Sequence, residues 1–229
     1  MPKFYRIYWS KKFNWKKYAE IYNNYTKTKN NYYSLSAEIL INSSEIKKDF
    51  VIADFGCGTG ALTGMLLKKF PQIHIIAVDI SKEVINHYKN NFKEQIDRKQ
   101  IKVIQGNAEE IHESLNTKVD KIFISSALWD MDVQKLFKNI QKVLKPNGEI
   151  ITNLPSIVLG EEKGFIYEIE SFFKKEKDIQ KLYKRIPLKK LEKIIKENNL
   201  IFSKKEEYSF NLSKQNIKQF FDLLTYRYP

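Results

Sequence analysis

Residues 51–79 constrain the fold more than any other stretch of the chain. Val51-Ile52-Ala53-Asp54-Phe55 reads as a buried strand and Gly56-Cys57-Gly58-Thr59-Gly60 as a tight turn. The helix that follows carries Leu62, Leu66, Leu67 and Phe70. After Pro71 a second strand, residues 73–78, ends at Asp79. Strand, glycine turn, helix, strand and terminal acid make a βαβ unit of the nucleotide-binding kind. Glycines without Cβ let a ligand lie against bare backbone, and the N–H groups opening the helix can receive polar or anionic atoms. A carboxylate closing the second strand can accept two hydrogen bonds from a ribose diol.

The glycine spacing narrows the nucleoside. Gly56, Gly58 and Ala61 satisfy G-x-G-x-x-A, so the glycines alone leave NAD, and with it an oxidoreductase, open. Gly60 adds G-x-G-x-G behind an acid, in the run Asp54-Phe55-Gly56-Cys57-Gly58-Thr59-Gly60. That run closely resembles the first motif of the class I, Rossmann-like S-adenosylmethionine-dependent methyltransferases. The resemblance implies a doubly wound α/β fold with a mostly parallel sheet of six or seven strands. It also implies S-adenosylmethionine as cofactor, S-adenosylhomocysteine as product, and no metal.

The rest of the chain continues the pattern. Ser81 is placed to cap a helix whose apolar face is Val84, Ile85, Tyr88 and Phe92. Residues 101–105 read as the third strand, followed by Gly106-Asn107-Ala108-Glu109, which matches the family's acid-or-amide-then-Ala signature beside adenine. Residues 119–125 form an apolar fourth strand of the kind covered on both faces, running into Ser125-Ser126-Ala127-Leu128-Trp129-Asp130. Asp130 or Asp132 is placed to cap a helix with Val133, Leu136, Phe137, Ile140, Val143 and Leu144 at helical spacing. Leu144-Lys145-Pro146-Asn147-Gly148-Glu149-Ile150 resembles the family's L-K-P-G-G-x-L turn into the fifth strand. Asn153-Leu154-Pro155 reads as the end of that strand. Pro187 opens a helix over 188–199, residues 201–210 read as a sixth strand, and 213–224 as a helix; residues 225–228 are the remaining candidate for a seventh strand.

Two segments lie outside the minimal fold. Residues 1–48 hold Trp9, Phe13, Trp15, Tyr18, Tyr22, Tyr25, Tyr32 and Tyr33 and read as a helical, aromatic cap on the domain formed by 49–229. Residues 14–23 resemble the family's A-x-x-Y-D opening, with Asn23 in place of the acid. Residues 156–186 are charged and aromatic and read as an inserted helical lid; a surface helix or dimer contact fits the same pattern.

Charge invites a nucleic-acid reading and composition tempers it. The 229-residue chain has 40 basic and 27 acidic residues, a net charge of +13, yet only four of the basic residues are Arg. Dedicated phosphate readers favour the Arg fork, and the Lys, Asn and Ile excess fits an A+T-rich coding sequence. Residues 1–48 carry ten basic residues against three acidic, a local excess of +7 that suits either a solvated face or an anionic acceptor. Cys57 is the only cysteine and the three histidines lack ligand spacing, which excludes an internal disulfide and a cysteine-based zinc site. No apolar run approaches the length needed to span a bilayer and no secretory leader is evident, so the expected location is cytoplasmic and no membrane partner is expected.

Carried residue by residue, the resemblance implies that Asp54, Gly56, Cys57, Gly58 and Gly60 line the methionine moiety and that Asp79 holds the ribose. Ile80 packs on adenine, Asn107 and Ala108 border the purine, and Ser125 closes the floor. Tyr22, Tyr25 and Trp129 are the candidates for shaping the acceptor pocket, Tyr22 and Trp129 foremost. The Asn/Asp-Pro-Pro-Tyr/Phe motif of nucleobase amine methylation is absent, and Cys57 is committed to the turn and is not free as a nucleophile. The expected reaction is SN2 methyl transfer to an O or N atom of a small-molecule acceptor. An RNA or protein methyltransferase using the basic N-terminus, and a non-catalytic S-adenosylmethionine-binding partner, are the alternatives.

Overall fold

In the computed structural model, residues 14–155, 186–209 and 211–227 are described. Trp9, Phe13, Phe210 and the lid expected over 156–186, apart from Ile186, lie outside the described residues. The N-terminal segment forms α1 (Trp15–Thr26) and α2 (Tyr32–Asn42). Their first turns are capped by Asn14, accepting from the Lys17 N–H at 3.0 Å, and Asn31, accepting from the Ser34 N–H at 2.9 Å. The core alternates β1 (Val51–Phe55), α3 (Ala61–Lys69), β2 (His74–Asp79), α4 (Lys82–Asn91), α5 (Lys93–Asp97), β3 (Ile101–Gln105), β4 (Val119–Ile124), α6 (Val133–Ile140) and β5 (Leu144–Thr152). α7 (Leu188–Glu197) and α8 (Lys214–Arg227) follow. Ser81 caps α4 and Asp132, not Asp130, caps α6.

All strand pairings are parallel, in the order β3-β2-β1-β4-β5. Because side chains alternate across a strand, the sheet feeds two cores. Ile52, Ile75, Ala77, Ile101 and Phe123 pack with Ala37, Leu40 and Ile41 of α2, Leu62 and Leu66 of α3, and Ile85 and Tyr88 of α4. Ala53, Phe55, Ile76, Val78, Ile122 and Ile124 pack on the other face with α6, α7, α8 and the tyrosines of the N-terminal helices. Full burial of each valine, leucine, isoleucine or phenylalanine among them stabilises by roughly 1.5–3 kcal/mol, and covering both faces is why successive apolar residues of these strands are buried on opposite sides.

The sheet has five strands among the described residues, where the sequence predicted six or seven. Residues 201–209 are coil and exposed, with Ile201 90% accessible. Ile201-Phe202 and Tyr208 are separated by the polar run 203–207, so no alternating apolar face exists for a sheet to bury. Nor do residues 225–227 form a strand: α8 continues through Arg227. α6 ends at Ile140, short of the predicted Leu144, and Leu144 already belongs to β5. The predicted turn over 145–148 appears as an excursion within β5, between the pairs Val119↔Leu144 and Lys121↔Glu149, with Asn147 at φ 63°.

Among the described residues no helix is long and apolar enough to cross a membrane.

Candidate cofactor and acceptor site

β1 lies where the strand order reverses, flanked by β2 and β4, and ligands of doubly wound sheets bind beyond the strand C-termini at that point. The glycine turn opens there. Gly56, Gly58 and Gly60 have φ of 70°, 56° and 99°. The Gly56 and Cys57 N–H groups donate to the Val78 carbonyl at 2.8 and 3.1 Å, stitching the turn to β2, and the Gly60 N–H closes it on the Cys57 carbonyl at 3.0 Å. Cys57 is buried inside the turn, where burial and the neighbouring carboxylates push its thiol up.

The two acids differ in what holds them. Asp79 stands at the end of β2, its Oδ2 accepting the Gly58 N–H at 3.0 Å and its Oδ1 the Ser81 N–H at 2.9 Å. With about four acceptor positions, the carboxylate keeps capacity for a ligand hydroxyl beside its backbone partners. Burial raises the Asp79 pKa, against the hydrogen bonds of Ser81, Gly58 and Ile80. Asp54 lies beneath the turn, 1% exposed, with Oδ2 accepting from the Thr63 hydroxyl at 2.8 Å; Tyr88 in turn donates to Thr63 at 2.9 Å. Burial pushes Asp54 up to about 7. Beside Asp79, Ile80 exposes 42% of its surface, an apolar patch at the site's edge.

The predicted purine-side residues meet at the end of β3. The Gly106 N–H donates to the Asp79 carbonyl at 2.9 Å, and Ala108 is buried. The Asn107 Oδ1 accepts the Glu109 N–H at 3.0 Å, so its carbonyl end caps a 3₁₀ turn over Ala108–Glu113. Glu109, which the sequence reading passed over, is buried and accepts the Asp132 N–H at 2.8 Å, anchoring the start of α6.

The cap closes directly over the turn. Thr26 and Thr59 share a hydroxyl–hydroxyl bond of 2.8 Å, and Asn91 donates to the Asn23 Oδ1 at 2.9 Å and to the Thr59 carbonyl at 3.0 Å. Asn23, standing where the family opening has an acid, thereby staples α1 to α4. Tyr22 stacks on Tyr18 at 6.0 Å and meets Tyr33 edge-on at 5.0 Å. Burial, with Tyr33, Asp79, Asp54 and Cys57 nearby, pushes the Tyr22 hydroxyl well above its ordinary value. Tyr25, the third aromatic candidate, spends its hydroxyl accepting the Tyr32 N–H at 3.0 Å and is pushed up to about 12 by burial.

After β4, Ser125 is half-buried and Ser126 is buried at φ 53°. The chain turns so that Ala127 abuts Gly56, where an added Cβ would come within 2.6 Å of the Ala127 Cβ. A 3₁₀ turn over Leu128–Asp130 follows. Trp129 is 5% exposed, and its indole N–H has no hydrogen-bond partner among the described residues. Burial and the field of Asp79 push Asp130 up to about 7. Among the described residues no group of acids, histidines or cysteine is placed to hold a metal.

The parallel sheet, glycine turn and β2 acid define a doubly wound, Rossmann-like α/β domain with a nucleoside-type site at the switch point. Residues 52–148 match the family described as methyltransferase domain. A malonyl-[acyl-carrier protein] O-methyltransferase from Priestia megaterium is 32% identical over 137 residues, 57% of this chain and 48% of that protein. A second enzyme of that name, from Ilyobacter polytropus, is 27% identical over 196 residues, 85% of this chain and 70% of that protein. The chain spans about half or less of the length of the first curated relatives it matches, 48% and 37%. The crystal structure of the YcgJ protein from Bacillus subtilis shares the fold, with a TM-score of 0.60 at 19% identity over 84% of this chain and 82% of that one. So does a phosphoethanolamine N-methyltransferase from Haemonchus contortus in complex with S-adenosyl-L-methionine, with a TM-score of 0.58 at 18% identity, covering 80% of this chain and 41% of that one.

Proposed function

We propose that this chain is an S-adenosylmethionine-dependent O-methyltransferase whose acceptor is a small carboxylate, of the kind a malonyl thioester presents. The observation that carries the reading is the turn Asp54–Gly60 locked to Asp79, with Ile80 exposed beside it. These groups suit the cofactor. Gly56, Cys57, Gly58 and Gly60 offer backbone to its methionine end, with Asp54 supporting them from below. Asp79 retains acceptor capacity for a ribose diol, Ile80 an apolar face for adenine, and Asn107 and Ala108 a border for the purine. Ser125 closes the floor. The names of the curated relatives support oxygen as the methylated atom.

When bound, the cofactor supplies an electrophilic methyl on a positively charged sulfur. The work left to the protein is alignment of the acceptor oxygen in line with that methyl, and exclusion of water. A carboxylate acceptor is ionised at neutral pH, so no residue has to remove a proton from it. Tyr22 closes the site from the cap and Trp129 bounds it beyond β4, both as acceptor-positioning groups. Residues 1–48 serve as the cap of a domain formed by 49–229, and a cytoplasmic setting belongs to the same reading.

The test is incubation with methyl-labelled S-adenosylmethionine and, separately, malonyl-acyl carrier protein, small carboxylates and bulk RNA, with Asp79→Ala as control. Label on the malonyl group, lost in the variant, is the expected result. Label in RNA, falling steeply with salt as counterion release requires, would assign the basic N-terminal segment to nucleic acid. Cofactor binding without label anywhere would make the chain a non-catalytic partner.

A further inference from the structure

Ser126 is a non-glycine residue in the left-handed region, at φ 53°, two residues beyond the strand that ends beside the site. Such conformations persist only where surrounding contacts over-determine them. Here the contacts come from two other parts of the chain. The Ser126 N–H donates to the Asn153 Oδ1 at 2.7 Å, and the Asn153 amide donates back to the Ser126 hydroxyl at 3.2 Å. The Tyr32 hydroxyl shares hydrogen bonds with the side chains of Ser126 and Ser36. Thr152, one residue before Asn153, donates to the Ile124 carbonyl at 2.8 Å, so the ends of β4 and β5 are held in register beneath the pair.

The consequence falls on the glycine turn. Reversal at Ser126 sends Ala127 against Gly56 and leads into the Leu128–Asp130 turn that carries Trp129. A relaxed backbone at 126 would move the segment that faces both cofactor turn and acceptor.

We propose that Asn153 is a positioning residue for methyl transfer: with Tyr32, it holds Ser126 in the left-handed conformation that sets residues 125–131 against the glycine turn. This rests on the methyltransferase reading above. Asn153 acts through Ser126 and does not touch the reacting atoms. The clamp gathers three elements distant in sequence, the start of α2 and the ends of β4 and β5, and so ties closure of the cap to the geometry beyond β4.

The test uses Asn153→Ala, Asn153→Asp, Ser126→Gly and the Ser126→Gly/Asn153→Ala double variant. Glycine takes positive φ without strain, so at position 126 it makes the clamp dispensable. Hydrogen exchange of the peptide covering 125–131 is read first, since it needs no acceptor. Asn153→Ala is expected to exchange about tenfold faster or more there, while Asn153→Asp, which keeps the oxygen for the Ser126 N–H, stays close to wild type. With malonyl-acyl carrier protein as acceptor, Asn153→Ala is expected to lower kcat roughly tenfold to a hundredfold, with S-adenosylhomocysteine affinity within about twofold. Combining it with Ser126→Gly should recover the rate of Ser126→Gly alone, a non-additivity that marks coupled residues. Unchanged exchange in Asn153→Ala overturns the proposal, as does a double variant no faster than Asn153→Ala. If Asn153→Ala does not fold, the Asp variant decides: loss of Ser126 protection there counts against the clamp. A wild-type protein inactive on this acceptor overturns the functional reading instead, and the exchange comparison still decides the clamp.

Discussion

The Tyr22 hydroxyl lies directly over Gly58. A Cβ on Gly58 would stand 2.6 Å from that oxygen and 2.9 Å from the Tyr22 Cε1, closer than side-chain atoms approach. One residue of the cap thus closes on one residue of the cofactor turn, and the fit requires the smallest side chain at 58.

Gly58→Ala is therefore expected to fail for two reasons. The φ of 56° costs an alanine roughly 1–2 kcal/mol, and its methyl displaces Tyr22. S-adenosylhomocysteine affinity should fall at least tenfold by calorimetry, with a lower Tm. Adding Tyr22→Ala should restore part of the Tm by removing the clash, leaving the backbone strain. A Tm equal to wild type in Gly58→Ala alone would contradict the contact.

Asp79 offers an oxygen to each of two backbone N–H groups. In Asp79→Asn one of them faces an amide donor. Hydrogen bonds to a charged group contribute about 1.5–3 kcal/mol, so the turn should loosen even without ligand, lowering Tm, and S-adenosylhomocysteine affinity should drop by roughly tenfold to a hundredfold. Retained affinity with a lowered Tm would confine Asp79 to a structural role.

The buried Asp54 gives a pH signature. Its pKa is raised to about 7 in the fold by burial, from an ordinary 3.8. The folded state thus favours the neutral acid, so this contribution to stability is complete below pH 3.8 and is lost as pH rises through 7. Asp54→Asn keeps an acceptor for Thr63 without a charge. The variant should be more stable than wild type at pH 8, by about 4 kcal/mol at most, and the advantage should shrink steadily toward pH 4. Thermal melts of the ligand-free proteins between pH 4 and 8 check the sign.

Trp129 buries an indole N–H that meets no acceptor among the described residues. Trp129→Phe keeps an aromatic ring and removes the orphan donor, so stability should stay within about 1 kcal/mol of wild type. If the N–H serves the acceptor, KM for the carboxylate should rise while S-adenosylhomocysteine affinity holds. An unchanged KM would return Trp129 to packing alone.

Much of the molecule was legible in the sequence because its signals are local. Five strands, the glycine turn, the Ser81 cap, the choice of Asp130 or Asp132 to cap α6 and the acid ending β2 are set by neighbours a few residues apart, where periodicity and turn chemistry act. The sixth strand was over-read for the same local reason: apolar ends at 201–202 and 208–210 suggested a strand, but only a burying partner makes one. What joins distant segments was decided by the tertiary structure. Asn153 looked like the end of a strand until the fold set its amide on Ser126, 27 residues earlier. Thr26 and Asn23 reached the glycine turn only once the cap had docked, and Glu109 found the Asp132 N–H across the gap between β3 and α6. Serine, threonine, asparagine and glutamate are ordinary surface residues in a linear reading. Their meaning depends on which backbone groups burial leaves beside them, and that is settled by packing rather than by spacing along the chain.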